Sequence, residues 1–154
     1  SCASKISTTQ QRIGKPDKLL FSFHGIPQSY VCEDEPYQSQ CLITASLIAK
    51  KLNLNESQYE VAFQSRFGKA EWIKPYLSSR LEELPKEGIY NIHVFCPGFS
   101  SDCLETIDEI GRESKEEFFE HGGKSFEFIS CLNSEESFIN ALMNIQKKAD
   151  IKIL

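Results

Sequence analysis

Four short apolar runs, each followed by a stretch long enough for a helix, leave this chain few folds to adopt. The runs are Lys18–Phe23, Tyr59–Gln64, Tyr90–Cys96 and Ser125–Cys131. They are largely apolar rather than cleanly alternating, as in strands covered on both faces. Strands of this kind alternating with helices predict βαβ units and a parallel sheet. The expected fold is α/β, a three-layer flavodoxin-like domain with a four-stranded parallel sheet flanked by helices. The predicted helices run at about Gln40–Leu52, Trp72–Leu84, Leu104–His121 and Glu135–Lys148. The first of these has an expected core face of Ile43, Leu47, Ile48 and Leu52, and the third one of Ile107, Ile110 and Phe118. Gly122-Gly123 gives the third helix a left-handed end. Asn133 or Ser134 caps the fourth, with Glu135 and Glu136 in its first turn. Residues 1–17 are polar and read as the tail of a helix plus a connection.

At 154 residues the chain is one domain with room for a real core. A net charge of −5, with no Lys/Arg cluster along a face, argues against a nucleic-acid partner. No apolar run approaches the roughly 20 residues of a membrane span. Ser-Cys-Ala-Ser-Lys at the start has no basic-then-apolar leader pattern, so a cytoplasmic protein is expected. The six cysteines, Cys2, Cys32, Cys41, Cys96, Cys103 and Cys131, form no C-x-x-C pair and read as reduced, mostly buried thiols. A [2Fe–2S] cluster is the lesser alternative, since its ligands usually include a close pair.

Two strands end by delivering an ionisable side chain. Phe21-Ser22-Phe23-His24-Gly25-Ile26-Pro27 places His24 just past the first, and Pro97-Gly98-Phe99-Ser100-Ser101-Asp102-Cys103-Leu104-Glu105-Thr106 places Glu105 beyond the third. Open parallel sheets bind ligands at the carboxyl edge of their strands, so His24 and Glu105 are expected to face each other across one site. His24 can accept a proton or ligate a metal; a loop histidine bonded to backbone is the plainer reading. No glycine-rich phosphate loop follows the first strand, which argues against NAD, FMN and ATP.

Glu105, Glu109, Glu113, Glu116 and Glu120 fall on one stripe at about 100° per residue. Such a row could pass a divalent cation along hard oxygen ligands. By pattern alone, a solvated helix face is favoured. Phe63-Gln64-Ser65-Arg66-Phe67-Gly68, then Trp72, sets aromatic and cationic groups at the end of the second strand, suited to a flat anionic aromatic ligand or to simple core filling. His93 and His121 read as structural.

Taken together, these pieces resemble the C-terminal lobe of ferrochelatases of the soluble bacterial type. The resemblance runs from about Lys18 to Ile145 and rests on five ordered motifs: Ser22-Phe23-His24-Gly25-Ile26-Pro27, Tyr37-x-x-Gln40-Cys41, Phe63-Gln64-Ser65-Arg66-Phe67-Gly68, Trp72-x-x-Pro75 and Cys96-Pro97-Gly98-Phe99-x-x-Asp102-Cys103-Leu104-Glu105-Thr106. It implies a chelatase-like fold and insertion of Fe²⁺ into protoporphyrin IX, the last step of haem synthesis. His24 and Glu105 then match the catalytic pair and metal ligands, with Glu109 and Glu113 as further metal ligands. Ser65, Arg66, Trp72 and Phe99 would contact porphyrin. Some relatives carry a second histidine where this chain has Cys103. The resemblance further implies no resident cofactor and no iron–sulfur cluster, since Fe²⁺ is a substrate. Residues 1–17 would connect to a separate N-terminal lobe, 18–154 would form the C-terminal lobe, and peripheral contact with a membrane surface is left open. The competing expectations are a chelatase placing cobalt or nickel in sirohydrochlorin or iron in coproporphyrin, a non-catalytic porphyrin- or haem-binding module, and an interaction domain without ligand.

Overall fold

The computed structural model describes residues 1–32 and 35–150; residues 151–154 of the expected lobe lie outside the described residues. Along the chain come α1 (Cys2–Ile13), β1 (Lys18–His24), α2 (Tyr37–Lys51), β2 (Tyr59–Gln64), α3 (Leu77–Lys86), β3 (Asn91–Phe95), α4 (Leu104–Ile107), a π-helical segment (Glu109–Ser114), α5 (Lys115–Glu120), β4 (Ser125–Ile129) and α6 (Glu136–Asp150). The four strands are parallel in the order β2-β1-β3-β4. The expected α/β sheet is therefore present. The chain leaves β1 toward β2 on one flank and returns to β3 on the other. Connections diverging from one strand open a crevice at its carboxyl end. That end carries His24.

Successive residues of the strands point to opposite faces, and each face is buried. Leu19, Phe21, Phe23 and Phe63 pack with Ile6 of α1 and Ala45 and Ile48 of α2. Leu20, Ala62, Ile92 and Val94 pack with Leu81 of α3, Ile110 of the π-helical segment and Phe118 of α5. Burying a large apolar side chain in this way contributes about 1.5–3 kcal/mol each. Residues 1–17 hold a helix, α1, and a connection, as the sequence predicts, and Ile6 of that helix is fully buried in the first layer.

Three helices differ from the expectation. In α2 the buried stripe is Cys41, Ala45, Ile48 and Ala49, while Ile43 and Leu47 are 58% and 63% exposed. Ile48 is buried and Leu52 packs on the same layer as expected, while small Cys41, Ala45 and Ala49 stand where Ile43 and Leu47 were expected and let the helix lie close to the sheet. Trp72 does not open α3; Ile73 donates its amide to the Ile26 carbonyl, Pro75 follows, and the helix begins at Leu77. A residue before proline is biased to extended backbone, which delays the start. In the third helical region Ile107 is 60% exposed, and the buried positions are Thr106, Ile110, Ser114 and Phe118. Those are four apart throughout. At 100° per residue such a row would drift around an α-helix, but the wide π turn over Glu109–Ser114 absorbs the drift.

Gly122, at φ 98°, does supply the left-handed end. Asn133 is not spent on capping α6: its Oδ1 accepts from the Asp102 amide and its Nδ2 donates to Asp102 Oδ2. Of the cysteines, Cys41, Cys96 and Cys131 are buried, Cys2 and Cys103 half-buried and Cys32 exposed, and all six are unbridged. No helix among the described residues is long and apolar enough to cross a membrane.

Candidate functional site

The site begins where β1 stops. His24 pairs in register with Gln64 of β2 and is half-buried at the strand end. Its Nδ1 lies 2.7 Å from the Gly25 carbonyl oxygen. A carbonyl only accepts, so Nδ1 carries the hydrogen and Nε2 is the ring nitrogen left to face the site. The Tyr37 hydroxyl donates to the His24 carbonyl at 2.7 Å and fixes the backbone beneath it. Burial pushes the Tyr37 phenol well above its usual range, which keeps it a donor.

Gly25 is required by space. A Cβ there would sit 3.0 Å from the Gln64 carbonyl and 3.2 Å from Cε3 of Trp72. The loops after β1 and β2 thus close on one another, with Gly25 N–H bonded to Gln64 O at 2.8 Å and Gln28 N–H to Glu71 O at 2.8 Å. Trp72 lies with its ring centroid 6.5 Å from that of His24 and donates Nε1–H to the Phe67 carbonyl at 3.0 Å. His24 and Trp72 are brought together as neighbours.

The helix start comes in from the other side. The Gln64 amide donates to the Glu105 carbonyl at 2.9 Å, and the Ser65 amide and hydroxyl donate to Glu109 at 2.6 and 2.5 Å. Among the described residues the Glu105 carboxylate forms no salt bridge with a lysine or arginine. Hydrogen bonds from the Cys103 thiol and the Glu105 amide hold that carboxyl below the usual range, outweighing desolvation, and attraction to the nearby His24 ring adds to them. His24 itself lines neither of the two grooves on the Glu105 side.

An open groove of about 330 Å³ runs past Glu105, lined by Arg66, Phe67, Leu104, Asp108, Glu109 and Glu113. A second, of about 220 Å³, adjoins it and adds Tyr76 and Glu117. Arg66 is exposed and stacks on Tyr76, its guanidinium carbon 4.6 Å from the ring centroid. Glu117 is the acidic neighbour that the even α-helical stripe missed: the π turn brings it into phase in place of Glu116. Burial, its largest influence, raises the Glu117 carboxyl above its usual range. Glu113 and Glu116 instead meet Arg112, at 3.0 and 3.5 Å. That side of the stripe is partly neutralised.

The expected site residues do not all converge. Phe99 packs against the second core layer and lines neither groove. Ser65 lines both grooves, but it is largely buried and its hydroxyl is committed to Glu109. Among the described residues, no three His, Cys, Asp or Glu side chains gather in a way that would hold a metal ion. Gln64 and Tyr37 were legible only as parts of motifs, yet each holds a site residue in place. The available signal for Gln64 was its position, a polar residue ending an apolar run as His24 does.

Residues 1–150 match the ferrochelatase family. The chain is 51% identical over 132 residues to the ferrochelatase of Janthinobacterium sp. (strain Marseille), a match covering 86% of this chain and 36% of that protein. It is 46% identical over 145 residues to the ferrochelatase of Idiomarina loihiensis, covering 94% of this chain and 40% of that one. The chain thus spans 36–40% of the length of these two curated relatives. A solved structure from Marinobacter aquaeolei, described as a CbiX protein of cobalamin (vitamin B12) biosynthesis, shares the fold with a TM-score of 0.59 at 12% identity, over 89% of this chain and 99% of that one. That likeness concerns architecture alone. The match over residues 1–150, with close to half the positions identical in curated relatives, shows that this chain belongs to the ferrochelatase family.

Proposed function

We propose that this chain forms the His24/Glu105 wall of a ferrochelatase, which inserts Fe²⁺ into protoporphyrin IX to give protohaem. The observation that carries the reading is the His24 ring at the end of β1, its Nδ1–H tied to the Gly25 carbonyl so that Nε2 is the nitrogen left to accept a proton, with the Glu105 carboxyl held below its usual range nearby. Metallation removes two pyrrole N–H protons and places the metal among the four nitrogens. In this reading His24 takes the two pyrrole protons in turn, as a general base positioned at the strand end that hands the first to solvent before it accepts the second. Glu105, with Glu109 and Glu113, receives the incoming Fe²⁺ through hard oxygens that release it readily. Arg66 and Trp72 contact the macrocycle, and Ser65 acts on it indirectly by holding Glu109. Phe99 belongs to the supporting core.

The reading extends to a second cleft wall from an N-terminal lobe joined through residues 1–17, to no resident cofactor or iron–sulfur cluster, and to a cytoplasmic protein. The exposed side chains of Phe67 and Leu104 at the groove rim suit the flat apolar face of a porphyrin or a peripheral contact with lipid.

Protoporphyrin IX absorbance and Fe²⁺ insertion test it. The 154-residue chain alone is expected to shift the Soret band of added protoporphyrin weakly and not to turn over; rapid insertion by it would refute the two-wall reading. In the protein that carries both lobes, His24→Ala should abolish insertion with the circular dichroism unchanged. A variant with near-normal rate would remove His24 from the chemistry.

A further inference from the structure

We propose that Gln64 is a positioning residue that sets the spacing between His24 and Glu105, an inference that rests on the proposed reading of the site. Its side chain is buried, with 3% of the residue exposed. Oε1 accepts from Ser22 Oγ at 2.7 Å and from the Cys96 thiol at 3.6 Å. Nε2 donates to the Glu105 carbonyl at 2.9 Å and to Glu109 Oε2 at 3.4 Å. The Glu105 carbonyl can only accept, so the amide has one orientation.

The backbone of the same residue works toward the other half of the site. Its carbonyl accepts the Gly25 amide at 2.8 Å, directly behind His24, and its register partner in β1 is His24 itself. One residue therefore grips the His24 loop through its main chain and the start of α4 through its side chain. Ser22 of β1 and Cys96, just past β3, hold that side chain from behind. A leucine would fill the volume, but would leave the buried Ser22 hydroxyl and the Glu105 carbonyl without this partner.

Nuclear magnetic resonance on the 154-residue chain, without porphyrin or metal, separates positioning from filling. In Gln64→Leu the amide resonances of Glu105–Glu109 are expected to shift, with hydrogen exchange there about tenfold faster, as for loss of one such bond. In Gln64→Glu the same resonances should sit near wild type at acid pH, where the protonated carboxyl can still donate. They should move as it ionises against Glu109 and the Glu105 carbonyl. Resonances of Glu105–Glu109 that stay at wild-type positions in both variants at every pH would overturn the proposal. If Gln64→Leu does not fold, Gln64→Glu and Ser22→Ala, which frees only one side of the amide, carry the same comparison. Insertion kinetics in the two-lobe protein add the functional half: Gln64→Leu should lower kcat with KM for porphyrin unchanged. An unchanged kcat beside shifted resonances would overturn the link to His24 and Glu105. Failure of wild-type protein to bind protoporphyrin IX would sink the ferrochelatase reading itself, whatever the resonances do.

Discussion

Ser65 stands in the left-handed region at φ 63°, and both of its donors close on Glu109, the amide at 2.6 Å and the hydroxyl at 2.5 Å. A side chain in that backbone region costs about 1–2 kcal/mol. Hydrogen bonds to a charged group contribute about 1.5–3 kcal/mol each, so the pair outweighs the strain. The carboxylate is thereby a strut between the loop after β2 and the π turn, besides any role toward a metal.

Glu109→Ala should accordingly lower the unfolding free energy by about 2–3 kcal/mol, read by urea denaturation. Ser65→Gly relieves the backbone but loses the hydroxyl. It should destabilise the wild type and become neutral or stabilising once Glu109 is gone. A coupling of about 1 kcal/mol or more in this double-mutant cycle is expected, and strictly additive effects would show that the two residues do not act together.

Gly25→Ala places a methyl group 3.0 Å from the Gln64 carbonyl and 3.2 Å from the Trp72 ring. Backbone cannot yield easily there, so the indole moves. Overpacking of this kind costs about 1–3 kcal/mol. Trp72 is the one tryptophan of the sequence, which makes its fluorescence a direct reporter. Emission should shift to longer wavelength as the ring is pushed toward water. An unshifted spectrum with full stability would mean that the two loops are not in contact.

The parallel sheet was legible because its strands are apolar on both faces, and so was the placement of His24 at the end of β1 and Glu105 at the start of the helix after β3. What escaped depended on tertiary fit. The phase of Glu117 hangs on a π turn whose widening no residue of Glu109–Ser114 announces by type. The fate of Asn133 was decided by Asp102, thirty-one residues earlier, which takes its side chain. Burial opposes ionisation of Asp102, but hydrogen bonds from Asn133 and the Cys131 amide prevail and hold its carboxyl below the usual range. In α2, side-chain size pointed to Ile43 and Leu47, whereas close approach to the sheet selected Ala45 and Ala49.

That last difference predicts an asymmetry along a single helix. Ile43→Ala and Leu47→Ala should each change stability by no more than about 0.5 kcal/mol, as surface substitutions do. Ile48→Ala, one residue further on and buried, should cost about 2–5 kcal/mol. Urea midpoints of the three variants check it. A large loss at Leu47 would place that residue in a packed interface rather than on the open face.

His93 lies in the middle of the sheet, between Leu19 of β1 and Glu127 of β4 in register. It is buried, and among the described residues its Nδ1 has no hydrogen-bond partner. Burial disfavours the charged ring and lowers its pKa from the ordinary 6.5. Above that value both folded and unfolded chains hold it neutral, so it contributes nothing to the pH dependence. Below it, the unfolded chain takes up a proton that the native ring refuses, and stability falls until the native pKa is passed. The slope from one such group is at most about 1.4 kcal/mol per pH unit. His93→Leu keeps the approximate volume and removes both the titration and the orphaned nitrogen. Its stability, measured between about pH 7.5 and about pH 5.5, should decline less than that of the wild type, with the gap opening only below about 6.5. Parallel curves for the two proteins across that range would show that His93 finds a proton-accepting partner in solution.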